Sequence, residues 1–209
     1  MFASCILEPI PPTGYLLILR DCILIINPPT EEIAYNTLET HTKPTSIIIT
    51  KPNLLHVAQK TQKYLHTIIS PLPTQVEIQN IYPIDQEIPI TKNTSIYLLN
   101  PPTITKNKAH YTLITTQTLT ILSSTRPTYI QNPPKVDIIL TDTNTYMTAT
   151  KKATHPNEIP KYLGSDAQWC FILNKEDKIK QQYIHINTKK YLIQRHLTQI
   201  IIHPLPRKH

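Results

Sequence analysis

Glycine is almost absent from this chain. Its 209 residues include two, Gly14 and Gly164, beside 20 prolines; average glycine usage is about 7%. Catalytic loops use glycine where the backbone needs positive φ or must approach a ligand closely. A phosphate-cradling glycine loop and a Gly-x-Ser-x-Gly nucleophile elbow are therefore both excluded. A gene poor in G accounts for the same scarcity, because Gly, Val and Ala codons begin with G and valine is scarce too. Cysteine is also sparse, at Cys5, Cys22 and Cys170. An odd count without a Cys-x-x-Cys pair argues against a disulfide framework or a zinc ribbon. It fits buried free thiols in a reducing intracellular compartment, cytoplasmic or organellar (mitochondrial). No apolar run approaches the roughly 18–20 residues of a membrane span. The longest, Tyr15–Leu19 and Cys22–Ile26, are strand-length and are separated by Arg20-Asp21. Met1–Pro12 lacks a basic stretch and carries Glu8, so it reads as neither a signal nor a transit peptide.

What remains is rich in Ile, Thr, Pro, Asn and Lys. Hydrophobic residues make up 40% and mean hydropathy is −0.24, as expected of a soluble globular chain. The length suits one sizeable core, and a single domain over residues 1–209 is expected. The net charge of +7 is uneven: −3 over residues 1–50, +3 over 51–150 and +7 over 151–209. The basic C-terminal third interleaves cations with tyrosine, with Lys189, Lys190, Arg195, Arg207 and Lys208 as candidate nucleic-acid contacts. No RNA- or DNA-binding fingerprint accompanies them, so this is electrostatics and not a motif. A macromolecular partner, RNA or protein, is expected.

Periodicity predicts a strand-rich α and β chain. Tyr15–Leu19 and Cys22–Ile26 read as a hairpin, and Glu31–Glu39 as a short helix capped by Thr30. Ser46–Thr50 reads as a buried strand and Leu54–Ile69 as the best helix of the first half. Val76–Ile78, Ile88–Ile90, Ser95–Leu99, Tyr111–Thr115, Thr118–Leu122 and Lys135–Leu140 read as strands. Ala149–Tyr162 is partly helical, interrupted by Pro156 and Pro160. Trp169–Leu173, Tyr183–Ile186 and Ile200–Ile202 are late strands, with a turn or short helix over Lys189–Leu197.

One segment carries the outline of a metal site. Ser46-Ile47-Ile48-Ile49-Thr50 runs into Lys51-Pro52-Asn53-Leu54-Leu55-His56. This resembles the signature of the metallo-β-lactamase superfamily, a buried strand ending in Thr-His-x-His-x-Asp-His. The four ligand positions here read Lys51, Asn53, Leu55 and His56. Other features follow in the family's order. Cys22–Pro29 resembles the strand before an Asp-Pro-like turn, with Asn27 where Asp is usual. Leu119–Thr125 resembles the strand ending in Gly-Asp, with Ser123-Ser124 in its place. Val136–Leu140, then Thr145-Tyr146-Met147-Thr148, is similar to the small ascorbate-phosphate-lactonase-like branch, with the aromatic-Thr-Met turn permuted. Phe171–Leu173 stands where the family delivers a last His. The resemblance covers roughly residues 13–180 and implies a four-layer αββα sandwich.

It also implies a lost active site. A dinuclear zinc centre needs imidazoles and carboxylates within about 2.0–2.2 Å of each metal, and the metal lowers the pKa of bound water to about 7. Lys51 is a cation at a ligand position, Asn53 a poor ligand, Leu55 apolar, and Ser124 stands for the bridging carboxylate. His56 alone holds no zinc. The expectation is a pseudoenzyme with no cofactor and no small-molecule substrate, serving as a structural or interaction subunit of an assembly such as a ribonucleoprotein. The competing expectation is a metal-dependent hydrolase with relocated ligands at His56, His110 and His155. His185, His196, His203 and His209 fall in the basic end and read as interaction or solvent residues.

Overall fold

The computed structural model describes residues 5–11, 14–61, 68–69, 87–99, 111–124, 127–131, 133–165, 169–173, 181–186, 189–196 and 199–204. They form two sheets and four α-helices. The chain divides into two compact units. The first holds Met1–Pro83, Asp177–Ile184 and Lys189–His209; the second holds Ile84–Glu176 and His185–Thr188.

The first unit begins with β1 (Cys5–Ile10), β2 (Gly14–Leu19) and β3 (Ile23–Ile26), an antiparallel meander. Then come α1 (Glu31–Thr40), β4 (Thr45–Ile48), α2 (Leu55–Thr61) and β5 (Ile68–Ile69), with β3, β4 and β5 parallel. In the second unit β6 (Glu87–Thr91), β7 (Thr94–Leu99), β8 (Tyr111–Thr116) and β9 (Thr120–Ser124) run antiparallel in sequence order. Next come β10 (Ile138–Asp142), α3 (Thr143–Lys152), α4 (Ile159–Tyr162) and β11 (Trp169–Leu173), with β9, β10 and β11 parallel. The last strands are β12 (Gln181–Ile186), β13 (Lys189–His196) and β14 (Gln199–Pro204). The first sheet has the order β12-β13-β14-β1-β2-β3-β4-β5 and the second β11-β10-β9-β8-β7-β6.

Strand alternation assigns the faces. In the first unit Leu16, Ile23, Ile25, Ile47 and Ile49 share one cluster with Ala34 of α1 and Val57 and Ala58 of α2. On alternate positions Leu7, Leu17, Leu24, Ile26, Ile48, Ile200 and Ile202 are also fully buried. Strands buried on both faces read as unbroken apolar runs, which is why Ile23–Ile26 shows no polar alternation.

In the second unit Tyr111, Leu122 and Ile139 pack with Ala149 of α3 and with Leu163. The alternate face carries an isoleucine row, Ile88, Ile96, Ile114, Ile121 and Ile138, aligned across five strands. The neighbouring rung is Leu98, Thr112, Ser123 and Leu140. The hydroxyls of Thr112 and Ser123 are buried there, with no hydrogen-bond partner among the described residues. An unmade buried hydrogen bond costs about 1–3 kcal/mol, whereas an apolar side chain of similar shape costs nothing comparable. Ser123→Ala is therefore expected to hold or raise the thermal midpoint, by about 2–4 °C per kcal/mol recovered. Calorimetry checks this, and a clear drop would mean that the hydroxyl has a partner.

Several elements depart from the sequence expectation. Of the helix foreseen over Leu54–Ile69, the described helical part is α2, preceded by a 3₁₀ turn at Pro52–Leu54, and residues 62–67 lie outside the described residues. Ile68–Ile69, two β-branched residues, instead pair with Ile47 and Ile48. Lys189–His196 is a strand and not a turn or short helix, because a full ladder to β14 takes up its backbone groups. β1 was not foreseen, although Cys5–Ile10 pairs with β2 on one side and β14 on the other. Thr118–Leu122 and Lys135–Leu140 each shift about two residues along the chain, to β9 and β10. The second helical region starts earlier, at Thr143, because Asp142 caps it. Val76–Ile78 lies outside the described residues.

Candidate functional site: the segment from Thr50 to His56

The segment leaves the sheet at the end of β4 and is held there by one side chain. Asn27 follows β3 and is fully buried, with φ of 49° in the left-handed region that Asn tolerates better than most residues. Its N–H donates to the Ile48 carbonyl at 2.8 Å. Its Oδ1 accepts from the Thr50 N–H at 2.8 Å, and its Nδ2 donates to Thr50 Oγ1 at 2.9 Å. A single amide thus joins the ends of β3 and β4 through both main chain and side chain. Gly14, at the start of β2, allows this turn to form: a Cβ there would lie 2.5 Å from the Asn27 carbonyl oxygen and 2.9 Å from that of Ile26.

The next residues fold into the helix layer. The Lys51 carbonyl accepts from the Leu54 N–H at 3.0 Å, which closes the 3₁₀ turn. Lys51 is half-buried and Asn53 is exposed. Leu54 is buried in the apolar cluster under α1 and α2, and Leu55 packs against the same cluster. His56 is exposed, with Nδ1 2.9 Å from the Asn53 carbonyl. A carbonyl only accepts, so Nδ1 carries the proton, leaving Nε2 as the ring's free nitrogen. The four candidate ligand positions therefore offer an ammonium, an exposed amide, a half-buried apolar side chain packed against the core, and one exposed imidazole. They do not fit zinc, which takes four ligands of N, S or carboxylate type.

Ser124 ends β9 in the second unit. It lies opposite Tyr111 of β8 and beside Thr141 of β10, buried, with no hydrogen-bond partner for its hydroxyl among the described residues. The carboxylates at the ends of the neighbouring strand already have structural roles. Asp137 Oδ2 accepts from the Thr120 N–H at 2.8 Å and aligns the start of β9. Asp142 caps α3, accepting from the Thr145 N–H at 2.8 Å and the Thr145 hydroxyl at 2.9 Å. Among the described residues no group of three His, Cys, Asp or Glu lies close enough to hold a metal ion.

His155 is exposed and precedes the 3₁₀ turn Pro156–Glu158. Glu158 folds back over this turn, with Oε2 accepting from the Thr154 N–H and hydroxyl at 2.9 and 2.8 Å. Those bonds, Thr154 first, hold the Glu158 carboxyl below its ordinary pKa. His110 lies outside the described residues, as do Arg207, Lys208 and His209. Lys189, Lys190 and Arg195 all fall on β13. His203 on β14 contacts the Gln194 Oε1 through Nε2 at 2.9 Å, so it serves a cross-strand pair. Cys5 and Cys22 are buried, and burial pushes the Cys5 thiol far up, out of the reactive range. Among the described residues no helix is long and apolar enough to cross a membrane.

Sequence reasoning missed the partner of Asn27. It placed Asn27 at a turn and Thr50 at a strand end, 23 residues apart, and the parallel pairing of β3 with β4 brings them together. It also missed the Tyr129–Tyr162 pair, which has no spacing signal.

No family model matches the sequence, and no curated protein is similar to it in sequence. Among solved structures, the chain is similar to the metallo-β-lactamase fold protein YhfI from Bacillus subtilis, at 14% identity and a TM-score of 0.44, over 76% of this chain and 79% of that one.

Proposed function

We propose that this chain is a catalytically inactive protein of metallo-β-lactamase type, an αββα sandwich retained as a structural or interaction subunit, and that its partner is a nucleic acid within a ribonucleoprotein. The observation that carries the reading is the use made of the segment from Thr50 to His56: Leu55, half-buried, packs against the apolar cluster under α1 and α2. A carboxylate at that position would be partly desolvated against Ile, Leu and Val side chains, so the site favours an apolar residue there. Each unit is also a sheet with helices packed on one face, the composition of half such a sandwich.

Metal analysis of the purified chain tests the reading. Substoichiometric zinc, iron and manganese are expected, together with no hydrolysis of phosphoester, lactone or β-lactam substrates. A full equivalent of any of these metals would overturn it. Lys51→His, Asn53→His and Leu55→Asp combined are expected to lower stability without recruiting metal, because Ser124 still lacks the bridging carboxylate. The nucleic-acid part predicts an affinity that falls steeply with salt, as release of counterions requires. Charge reversal at Lys189, Lys190 and Arg195 together should weaken it while leaving the fold intact.

A further inference from the structure

The second unit carries an aromatic and basic surface, built on the chain that leads into β10 and on the helices that follow. The Thr128 N–H donates to the Tyr162 carbonyl at 2.9 Å, and the Ile130 N–H to the Lys161 carbonyl at 3.2 Å. From below, the Tyr111 hydroxyl donates to the Thr128 carbonyl at 3.0 Å. Three bonds therefore pin residues 128 and 130, and Ile130 packs on the unit's apolar cluster. The residue between them, Tyr129, turns outward and is 43% exposed. Its ring centroid lies 5.1 Å from that of Tyr162 at an interplanar angle of 59°, and Tyr162 packs against the same cluster. Tyr129 is thus a solvent-facing ring on a fixed backbone, backed by a second ring anchored to the core.

Cations flank it. Lys152 ends α3 and reaches the Pro127 carbonyl with Nζ at 3.3 Å. An ammonium has three donors, so two remain for another acceptor. Lys151 is exposed beside it, and Lys161 is half-buried next to Tyr162. Glu158 is the carboxylate of this stretch, and its Oε2 already accepts from Thr154. The last turn of α3 has two lysines and no acid.

We infer that Tyr129, backed by Tyr162 and flanked by Lys151, Lys152 and Lys161, is a stacking site for single-stranded nucleic acid. An exposed ring offers its π-face to any base, and lysines on the same elements supply cations for the phosphates. A duplex hides its base faces, so the site selects unpaired strands. The inference deepens the nucleic-acid reading above and does not depend on the loss of metal.

The test uses the full chain with a labelled oligouridylate, its duplex counterpart and a polyglutamate peptide, followed by fluorescence anisotropy. Single-strand binding is expected, weaker for the duplex and absent for the peptide. Tyr129→Ala should weaken it by about 5- to 100-fold, as loss of one stacked base predicts. Tyr129→Phe should retain affinity, since the ring and not the hydroxyl does the stacking. Lys152→Gln should reduce the slope of log affinity against log salt by about one unit. A thermal scan of each variant separates lost binding from lost folding, and photo-crosslinking of the wild-type complex should map to Tyr129. Wild-type affinity in Tyr129→Ala, equal affinity for duplex, or binding of the peptide in place of the oligouridylate would overturn the site. If only the Lys189, Lys190 and Arg195 reversal abolishes binding, the Tyr129 site falls and the ribonucleoprotein reading stands. If the wild-type chain binds no oligonucleotide, both fall.

Discussion

Gly164→Ala is expected to lower the thermal midpoint by about 5–15 °C, the largest effect of any single methyl group added to the second unit. Two independent causes add. Gly164 has a φ of 94°, where a side chain costs about 1–2 kcal/mol. A Cβ there would also collide with the Tyr111 ring, lying 2.7 Å from both Cδ1 and Cζ. Tyr111 is buried, and its hydroxyl is tied to the Thr128 carbonyl, so the ring cannot retreat. Forcing atoms into a packed site costs about 1–3 kcal/mol more. Gly164 also closes α4: its N–H donates to the Lys161 carbonyl, and the Ser165 N–H donates to that of Pro160, the paired bonds of a Schellman cap. Removing the ring separates the two causes. In a Tyr111→Leu background the same substitution should cost only the backbone share, about 1–2 kcal/mol. An unchanged midpoint for Gly164→Ala in the wild-type background would refute the packing described here.

Tyr111 gives an orthogonal readout. Burial raises its hydroxyl from the ordinary value of 10.0 to about 12. In the unfolded chain it ionises near the ordinary value, so the folded state holds the proton more tightly. Its contribution to stability is complete below about pH 10 and is lost as pH rises toward about 12. Gly164→Ala, by loosening the ring, should shift this alkaline loss to lower pH.

The glycine count acquires a physical meaning from these positions. Gly14 and Gly164 both sit where a Cβ meets atoms that cannot move aside. A chain purged of glycine by codon bias would keep it where sterics forbid replacement. Much of the secondary structure was legible for simple reasons. Tyr15–Leu19 and Cys22–Ile26 are unbroken apolar runs of strand length, and they pair as the foreseen hairpin. The helix near Glu31 forms as foreseen, but Thr30 at its start makes no side-chain cap hydrogen bond; Glu31 and Glu32 in the first turn favour it instead. Elements failed where tertiary pairing overrode local pattern. The strand Lys189–His196 mixes charge with Tyr, Leu and Ile, so no period stands out, and its identity comes from β14. β1 was hidden by Pro9, which breaks a strand pattern in sequence although Cys5–Ile10 carries ladders on both sides. At the segment from Thr50 to His56, residue types led only to the expectation of a lost metal site. The packing of half-buried Leu55 against the apolar cluster and the exposure of His56 required the fold.

Asn27→Ala is expected to cost about 3 kcal/mol and to release the segment from Thr50 to His56. The Thr50 N–H would lose its acceptor while buried, which costs about 1–3 kcal/mol. Alanine would also occupy a φ of 49° that Asn accepts more readily. Asn27→Asp keeps an acceptor for the Thr50 N–H and hydroxyl but loses the Nδ2 donor and buries a charge, so it too should destabilise, and more at neutral than at acidic pH, where the carboxyl is protonated. Gly14→Ala strains the same turn from the other side, pressing a methyl group against the Asn27 carbonyl. Two substitutions at one junction do not add: a double-mutant cycle should show a coupling of about 0.5–3 kcal/mol. Amide hydrogen exchange locates the effect. Thr50 should lose protection in Asn27→Ala, while Leu24 and Ile25 in β3 keep theirs. Additive costs together with a still-protected Thr50 amide would show that the β3–β4 ladder alone fixes the segment, and that the Asn27 side chain plays no part in holding it.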